Sequence, residues 1–196
     1  MSRQAKIIIF SLILLFSIYQ KQTNDNSTTY EPRVAKTKPK KYKPKRKKTL
    51  EWFPTPKNGF SPYNQYFGKG IYNNNSGNEF IIKNSNQTDA IVLLVNAYTG
   101  RKVRNEFVSK GSNFKMTGVP DGTYYLEWFS GTDWSPELKV GTRFKGGFQT
   151  DASFTKTRDR SDWMMVNGYK QWTITLYSVV GGDVESQKIN ADEFFN

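Results

Sequence analysis

The stretch Ala90-Ile-Val-Leu-Leu-Val-Asn-Ala-Tyr98 decides how this chain is read. Both alternating sets of side chains are apolar until Asn96, so an extended segment here has no face to show to water. It reads as a central strand covered on both sides. Thr99-Gly100 then signals a turn, and 102–109 reads as a half-exposed strand with Val103 and Phe107 on one face and Arg104 and Glu106 on the other. Upstream, 79–83 carries Phe80, Ile81 and Ile82. Downstream, Phe114 and Met116 alternate with Asn113 and Lys115. Val119-Pro-Asp-Gly122 is a strong turn, with Pro at its second position and Gly at its fourth. Residues 122–129 place Tyr124, Leu126 and Trp128 on one side. Residues 172–180 place Trp172, Ile174 and Leu176 opposite Thr173, Thr175 and Tyr177, and Gly181-Gly182 reads as a hairpin turn into 184–189. These elements predict an all-β fold, a single antiparallel β-sandwich of about seven strands with no long helix.

Two segments read as covers for this body. Residues 60–72 (Phe-Ser-Pro-Tyr-Asn-Gln-Tyr-Phe-Gly-Lys-Gly-Ile-Tyr) are aromatic and glycine-rich, as expected of a strap over one sheet; an aromatic platform for a sugar or peptide is the second reading. At the far end, Asn190 followed three residues later by Glu193 has the spacing of a capping box, and Phe194 and Phe195 are placed to seal the end of the sandwich.

Two resemblances bear on the same region. Gly118-Val-Pro-Asp-Gly-Thr-Tyr-Tyr-Leu126 resembles the G-x-Y-x-L ending of carboxypeptidase-regulatory or transthyretin-like sandwich domains, without the opening Gly-x-Val strand of that family. More extensively, residues 60–196 resemble uncharacterised exported bacterial proteins. The phrases that carry this are Ser61-Pro-Tyr, Tyr66-Phe-Gly-Lys-Gly-Ile-Tyr, Ile82-Lys-Asn, Arg104-Asn-Glu-Phe, Asp133-Trp-Ser-Pro, Gly146-Gly-Phe and Glu193-Phe-Phe. That resemblance implies an envelope address and no particular reaction.

The rest of the chain is of another kind. The net charge of +12 is concentrated in residues 33–48, where ten Lys or Arg occur without an acid, while residues 49–196 hold sixteen bases against fifteen acids. A basic tail, not a basic domain, needs explaining. Arg3 and Lys6 precede the greasy run 7–19, the pattern of an export signal, though thirteen residues are short for a span of ~20. Residues 1–20 are therefore expected to be a hydrophobic helix that is either a signal peptide or a signal anchor. Residues 21–59 are expected to be a disordered Lys/Pro-rich linker, because Lys–Pro alternation blocks helix and like charges stretch the chain. The body is expected over 60–196, and the address is the cell envelope or beyond.

Composition excludes much chemistry. There is no cysteine and no histidine, so disulfides, thiolate metal sites, cysteine nucleophiles and Ser-His arrangements are absent. Paired carboxylates for glycoside hydrolysis need no histidine, but Asp133, Asp151 and Asp162 show no diagnostic spacing. No loop alternates oxygen donors in the manner of a calcium site. No catalytic residue, metal or cofactor is expected. The candidate ligand-binding residues are Asp133, Trp134, Arg143, Lys145, Phe148, Arg160 and Trp163, all in 131–170, which reads as a long irregular connection rich in Trp and Arg; the first reading is that Trp134 and Trp163 fill the edge of the core and the charges are solvated, and a recognition surface at one end of the sandwich is the second. The expected function is a non-catalytic, exported or envelope-tethered binding module for a protein, glycan or wall component. A rival makes the tract itself the active part, with Lys36, Lys38, Lys40, Lys41, Lys43, Lys45, Arg46, Lys47 and Lys48 holding a polyanion such as a membrane surface or wall polymer. Nucleic acid is disfavoured, since export removes the chain from it and the body adds no basic face.

Overall fold

The computed structural model describes residues 50–177 and 185–196. The hydrophobic run, the basic tract from Lys36 to Lys48 and the Gly181-Gly182 turn lie outside the described residues. Among those described, no helix is long and apolar enough to cross a membrane.

A short helix, α1 (Asn64–Phe67), precedes β1 (Glu79–Lys83), β2 (Asp89–Asn96), β3 (Lys102–Val108), β4 (Asn113–Met116), β5 (Gly122–Val140) and β6 (Phe144–Thr157). A single 3-10 turn, Arg160–Asp162, then leads to β7 (Met164–Val166), β8 (Gln171–Thr175), β9 (Ser186–Ile189) and a terminal helix, α2 (Ala191–Phe195). The strands form two sheets. The larger runs β3-β2-β5-β6-β9, with β7 also on β5, and the smaller runs β4-β1-β8.

The expectation for β2 holds: every residue from Asp89 to Val95 is buried. Its alternate side chains enter two different layers. Ala90, Val92 and Leu94 pack with Phe80, Ile82, Met116, Leu126, Val166 and Ile174, an aliphatic layer drawing on both sheets. Ile91, Leu93 and Val95 pack with Tyr63, Phe107, Phe129, Trp134, Phe148, Phe194 and Phe195, an aromatic layer on the opposite face. The strap carrying α1, the outer half of the β5–β6 hairpin and α2 supply that second cover. The strap also protects the free edge of β3. Gly59 N–H donates to the Phe107 carbonyl at 2.7 Å and Ile71 N–H to the Val103 carbonyl at 2.8 Å, so the edge is paired and not left open to another chain.

The Val119–Gly122 turn is fastened by the strand that follows it. The Tyr124 hydroxyl donates to the Pro120 carbonyl at 3.0 Å, which closes the turn against the start of β5. A Cβ at Gly122 would meet the Tyr124 hydroxyl oxygen and ring at 3.0–3.1 Å, so this position favours glycine.

Several expectations are corrected. The described residues contain nine strands, not seven, and the β1–β8 pair is parallel, with Phe80 opposite Trp172 and Ile82 opposite Ile174. β8 and β9 are not a hairpin, because they belong to different sheets. β3 is buried instead of half-exposed. A bulge sets Leu94 opposite Arg104 and Val95 opposite Lys102, which turns Val103 into the aliphatic layer while Phe107 enters the aromatic one. Arg104 and Glu106 remain on the aliphatic side as a buried ion pair at 2.6 Å, covered by the Tyr72 ring 4.2 Å from the guanidinium and by the Ser61 hydroxyl, which donates to Glu106 at 3.1 Å.

The largest correction concerns 131–170. Most of it is regular ladder, because β5 runs for 19 residues and β6 for 14. Its glycines look like loop residues in sequence but are sites of close approach. A Cβ at Gly131 would fall 2.4 Å from the Phe148 Cβ, and one at Gly147 would fall 2.5 Å from a Val140 methyl. Asp133 and Asp151 adopt φ of 57° and 53°, a conformation Asp tolerates better than most residues, next to interruptions in the ladder register. Finally, residues 50–59 lie on the body instead of continuing the linker. The Gln149 amide donates to the Glu51 carbonyl at 2.7 Å, and Asn58 bonds both Asn113 and Ser109 at 3.0 Å.

Candidate functional site

The seven candidate residues fall in three places. Trp134 and Phe148 are buried in the aromatic layer, with ring centroids 5.6 Å apart. Asp133 and Lys145 flank them, each beside a trough bordering residues 50–57. The trough at Asp133, about 420 Å³, also receives Glu51, Asp89 and Lys110, so opposite charges meet there. The trough at Lys145, about 470 Å³, is lined mainly by Pro54, Pro56, Phe60, Pro62 and Pro136, and the Lys145 charge is met by Glu137 at 2.9 Å. Lys57 also lines the second trough.

Arg143 stands elsewhere, in the turn between β5 and β6, where it edges a larger groove of about 620 Å³. Four pieces of chain meet around this groove: α1 with Tyr66 and Phe67, the β2–β3 turn with Arg101 and Lys102, the hairpin tip with Arg143 and Phe144, and the end of α2 with Phe195 and Asn196. The aromatic floor is a packed set. Phe144 stacks on Phe195 at 4.0 Å and 9°, Tyr66 meets Phe144 edge-on at 5.0 Å, and Phe67 lies parallel to Phe195 at 6.1 Å. The Tyr66 hydroxyl also accepts the Lys145 N–H at 2.9 Å, fixing α1 to β6.

The sequence places α2 under this floor for local reasons. Asn190 caps the helix, its side chain accepting the Glu193 N–H at 2.8 Å. The second half of a capping box is missing, because the Glu193 carboxylate bonds Lys156 instead. Asp192 accepts the Thr142 N–H at 3.1 Å, joining α2 to the hairpin tip, and Phe194 and Phe195 are buried as expected.

The rim is cationic. No acidic residue lines the groove, while Arg101, Lys102 and Arg143 do. Among the described residues neither arginine meets a carboxylate. Arg143 lies 5.9 Å from the Phe144 ring and Lys102 lies 6.0 Å from Phe67, so both cations border the aromatic floor. Lys102 differs: its side chain is largely buried, its ammonium donates to the Asn196 main-chain oxygen, and a carboxylate, Glu127, lies 4.0 Å away. Glu127 sits on the aromatic face of β5, opposite Leu93, and is 4% exposed. Its Oε2 has no hydrogen-bond partner, and its Oε1 accepts from the Tyr125 hydroxyl at 3.5 Å. Burial pushes the carboxyl up to about 7; Lys102 and Lys156 pull it back, and Glu193 pushes it further up. Near neutral pH, then, the Glu127 charge beside Lys102 is only partly present.

The third place holds Arg160 and Trp163, on the 3-10 turn and the residue after it. Trp163 lies parallel to Tyr125 at 6.3 Å, meets Tyr98 at 6.0 Å and 85°, and has the Arg160 guanidinium 5.3 Å from its ring. Tyr98 belongs to the β2–β3 turn that also carries Arg101, so this aromatic corner and the groove share one turn.

Of the residues at the groove and the aromatic corner, the sequence reading named Arg143, Arg160 and Trp163 and did not name Arg101, Lys102 and Glu127. The available signals were Arg101-Lys102 directly after the Thr99-Gly100 turn, and a lone Glu among Tyr125 and Phe129 on an apolar strand face. Among the described residues no cluster of acidic side chains is arranged to hold a metal ion. Comparison of the chain with protein-family models, with curated proteins and with solved structures gives no match.

Proposed function

We propose that the protein is a non-catalytic, exported binding module whose sandwich-like body takes an anionic ligand with an apolar or ring-shaped face in the groove of Arg101, Lys102 and Arg143. One observation carries this reading: two arginines without carboxylate partners stand over a packed aromatic floor that is open to solvent. Such a surface offers charge complementarity and stacking together, the combination by which ligand sites gain both affinity and orientation. The greasy segment 7–19 and the linker support an envelope address, with the body held at or released from a membrane surface. The same resemblance to exported bacterial proteins points to that address and to no reaction.

A fluorescent anionic ring compound, anilinonaphthalene sulfonate, tests the groove directly on the full chain. The expected result is saturable fluorescence enhancement that the double variant Arg101→Gln/Arg143→Gln removes and that replacement of the ten bases of 33–48 by Gln leaves in place. The opposite pattern would transfer the activity to the tract. That second reading is favoured by one fact, the ten bases without an acid, and it requires steep salt dependence of binding. Membrane fractionation with and without a high-salt wash, together with intact mass, decides between a cleaved, an anchored and an adsorbed chain.

A further inference from the structure

The corner formed by Tyr98 and Trp163 serves no evident packing purpose on its outer side. Tyr98 is 78% exposed, although it sits on a turn that is tightly held. The Asn96 side chain accepts the Tyr98 and Thr99 N–H groups at 3.2 and 3.0 Å, and Gly100 N–H donates to the Asn96 carbonyl at 2.9 Å. The ring is thus carried on a rigid mount and set nearly perpendicular to Trp163. Trp163 is backed by Tyr125 and flanked by Arg160. Arg160 meets no carboxylate among the described residues. Only Thr99 and Gly100 separate Tyr98 from Arg101, so the corner and the groove are joined by one tight turn.

Resting on the groove reading above, we infer that the ligand is an acidic polysaccharide whose pyranose rings stack in the Tyr98–Trp163 corner while its anionic groups meet Arg160, Arg101 and Arg143. Aromatic side chains with exposed faces suit the flat C–H side of a sugar ring, and guanidinium forks suit carboxylates set along the same chain. Charge complementarity chooses this occupant over a neutral glycan, because an arginine without a carboxylate partner stands at the corner and two more at the groove. A polymer is chosen over a monosaccharide because two separate features on one turn can be met only by a ligand that extends past it. Binding through several subsites multiplies affinity with chain length.

The experiment measures binding of the full chain, with the ten bases of 33–48 replaced by Gln, to three probes at physiological ionic strength. The probes are an oligogalacturonate, a neutral oligoglucoside of equal length, and inorganic polyphosphate, which is anionic without rings. The expected result is that the uronate oligomer binds best, gains affinity from monomer to oligomer, and is weakened about tenfold by Tyr98→Ala and by Trp163→Phe. Tyr98→Ala alters an exposed ring, so loss of folding does not confuse it, and Trp163→Phe keeps the packing on Tyr125. Uronate binding that is lost in Arg101→Gln/Arg143→Gln but indifferent to both aromatic variants overturns this inference and leaves the groove reading standing. Equal binding of polyphosphate, indifferent to the aromatics, overturns it likewise. Probe binding that ignores the arginines, or its absence for all three probes, overturns both.

Discussion

The two faces of the large sheet solve the same problem with different materials. On one, Ala90, Val92 and Leu94 meet aliphatic partners from both sheets, and a buried carboxylate on that side, Glu106, is held by Arg104 at 2.6 Å and by Ser61. On the other, Ile91, Leu93 and Val95 meet rings, and the buried carboxylate, Glu127, is left with an oxygen that nothing bonds. On the first face the buried carboxylate is paired, as a core requires. The second runs outward through Phe195 and Phe144 to a solvent-facing groove with cations on its rim, and keeps a carboxylate oxygen without a hydrogen bond beneath it.

The comparison breaks most visibly at Leu94 and Glu106. Leu94→Ala, in the aliphatic layer, is expected to cost about 2–5 kcal/mol in denaturant unfolding while leaving the affinity of the folded fraction for an anionic probe unchanged. Glu106→Ala should cost about 3–5 kcal/mol, since it strands the Arg104 guanidinium in a buried place. Phe195→Ala, in the aromatic layer, is expected to cost about 3 kcal/mol and, unlike the other two, to abolish probe binding by removing the groove floor. Equal effects of Leu94→Ala and Phe195→Ala on binding would erase the distinction drawn here.

Burial pushes both carboxylates above the ordinary value; Arg104 and Ser61 pull Glu106 back, and Lys102 and Lys156 pull Glu127 back. Glu127 holds its proton more tightly folded than unfolded, about 7 against an ordinary 4.5. Its contribution to stability is therefore fully present below pH ~4.5 and is lost as pH rises through ~7. Glu127→Gln is expected to raise stability at pH 8 by on the order of 1–3 kcal/mol and to flatten the profile between pH 5 and 8, read by thermal unfolding. The same charge reaches the groove through Lys102, 4.0 Å away. Anion affinity should rise a few-fold as pH falls from 8 to 6, and Glu127→Gln should remove that dependence; a slope that survives the substitution would assign it to another group. The smallest effect belongs to the cap, where Asn190→Ala is expected to cost about 1 kcal/mol and to loosen α2 in hydrogen exchange.

How much of this was legible in the sequence follows from the range of the forces involved. β2 and the Val119–Gly122 turn could be read because alternation and turn chemistry are local. The strap and the α2 cap were legible for the same reason. β5 and β6 beyond Gly131 were not. Their bulges at Asp133 and Asp151 break the period of two, and the glycines that signal loops exist because Phe148, Val140 and Trp134 press against them from distant positions. The parallel pairing of β1 with β8 depends on residues some ninety positions apart, which no local pattern encodes. The site was half legible. Trp and Arg in 131–170 were singled out as one group, yet the ladder disperses them: Trp134 enters the core, Arg143 goes to one end, and Arg160 and Trp163 go to another place. Arg101 and Lys102 drew no attention because a basic pair after a turn is ordinary until an aromatic floor is folded beneath it.

The most direct test is amide chemical-shift mapping of the full chain titrated with the uronate oligomer. The account predicts saturable shifts at 65–67, 98–102, 143–144, 160–163 and 195–196, with β1, β4 and β8 unmoved. Shifts confined to 33–48, or spread over the aliphatic side of the body, would contradict it.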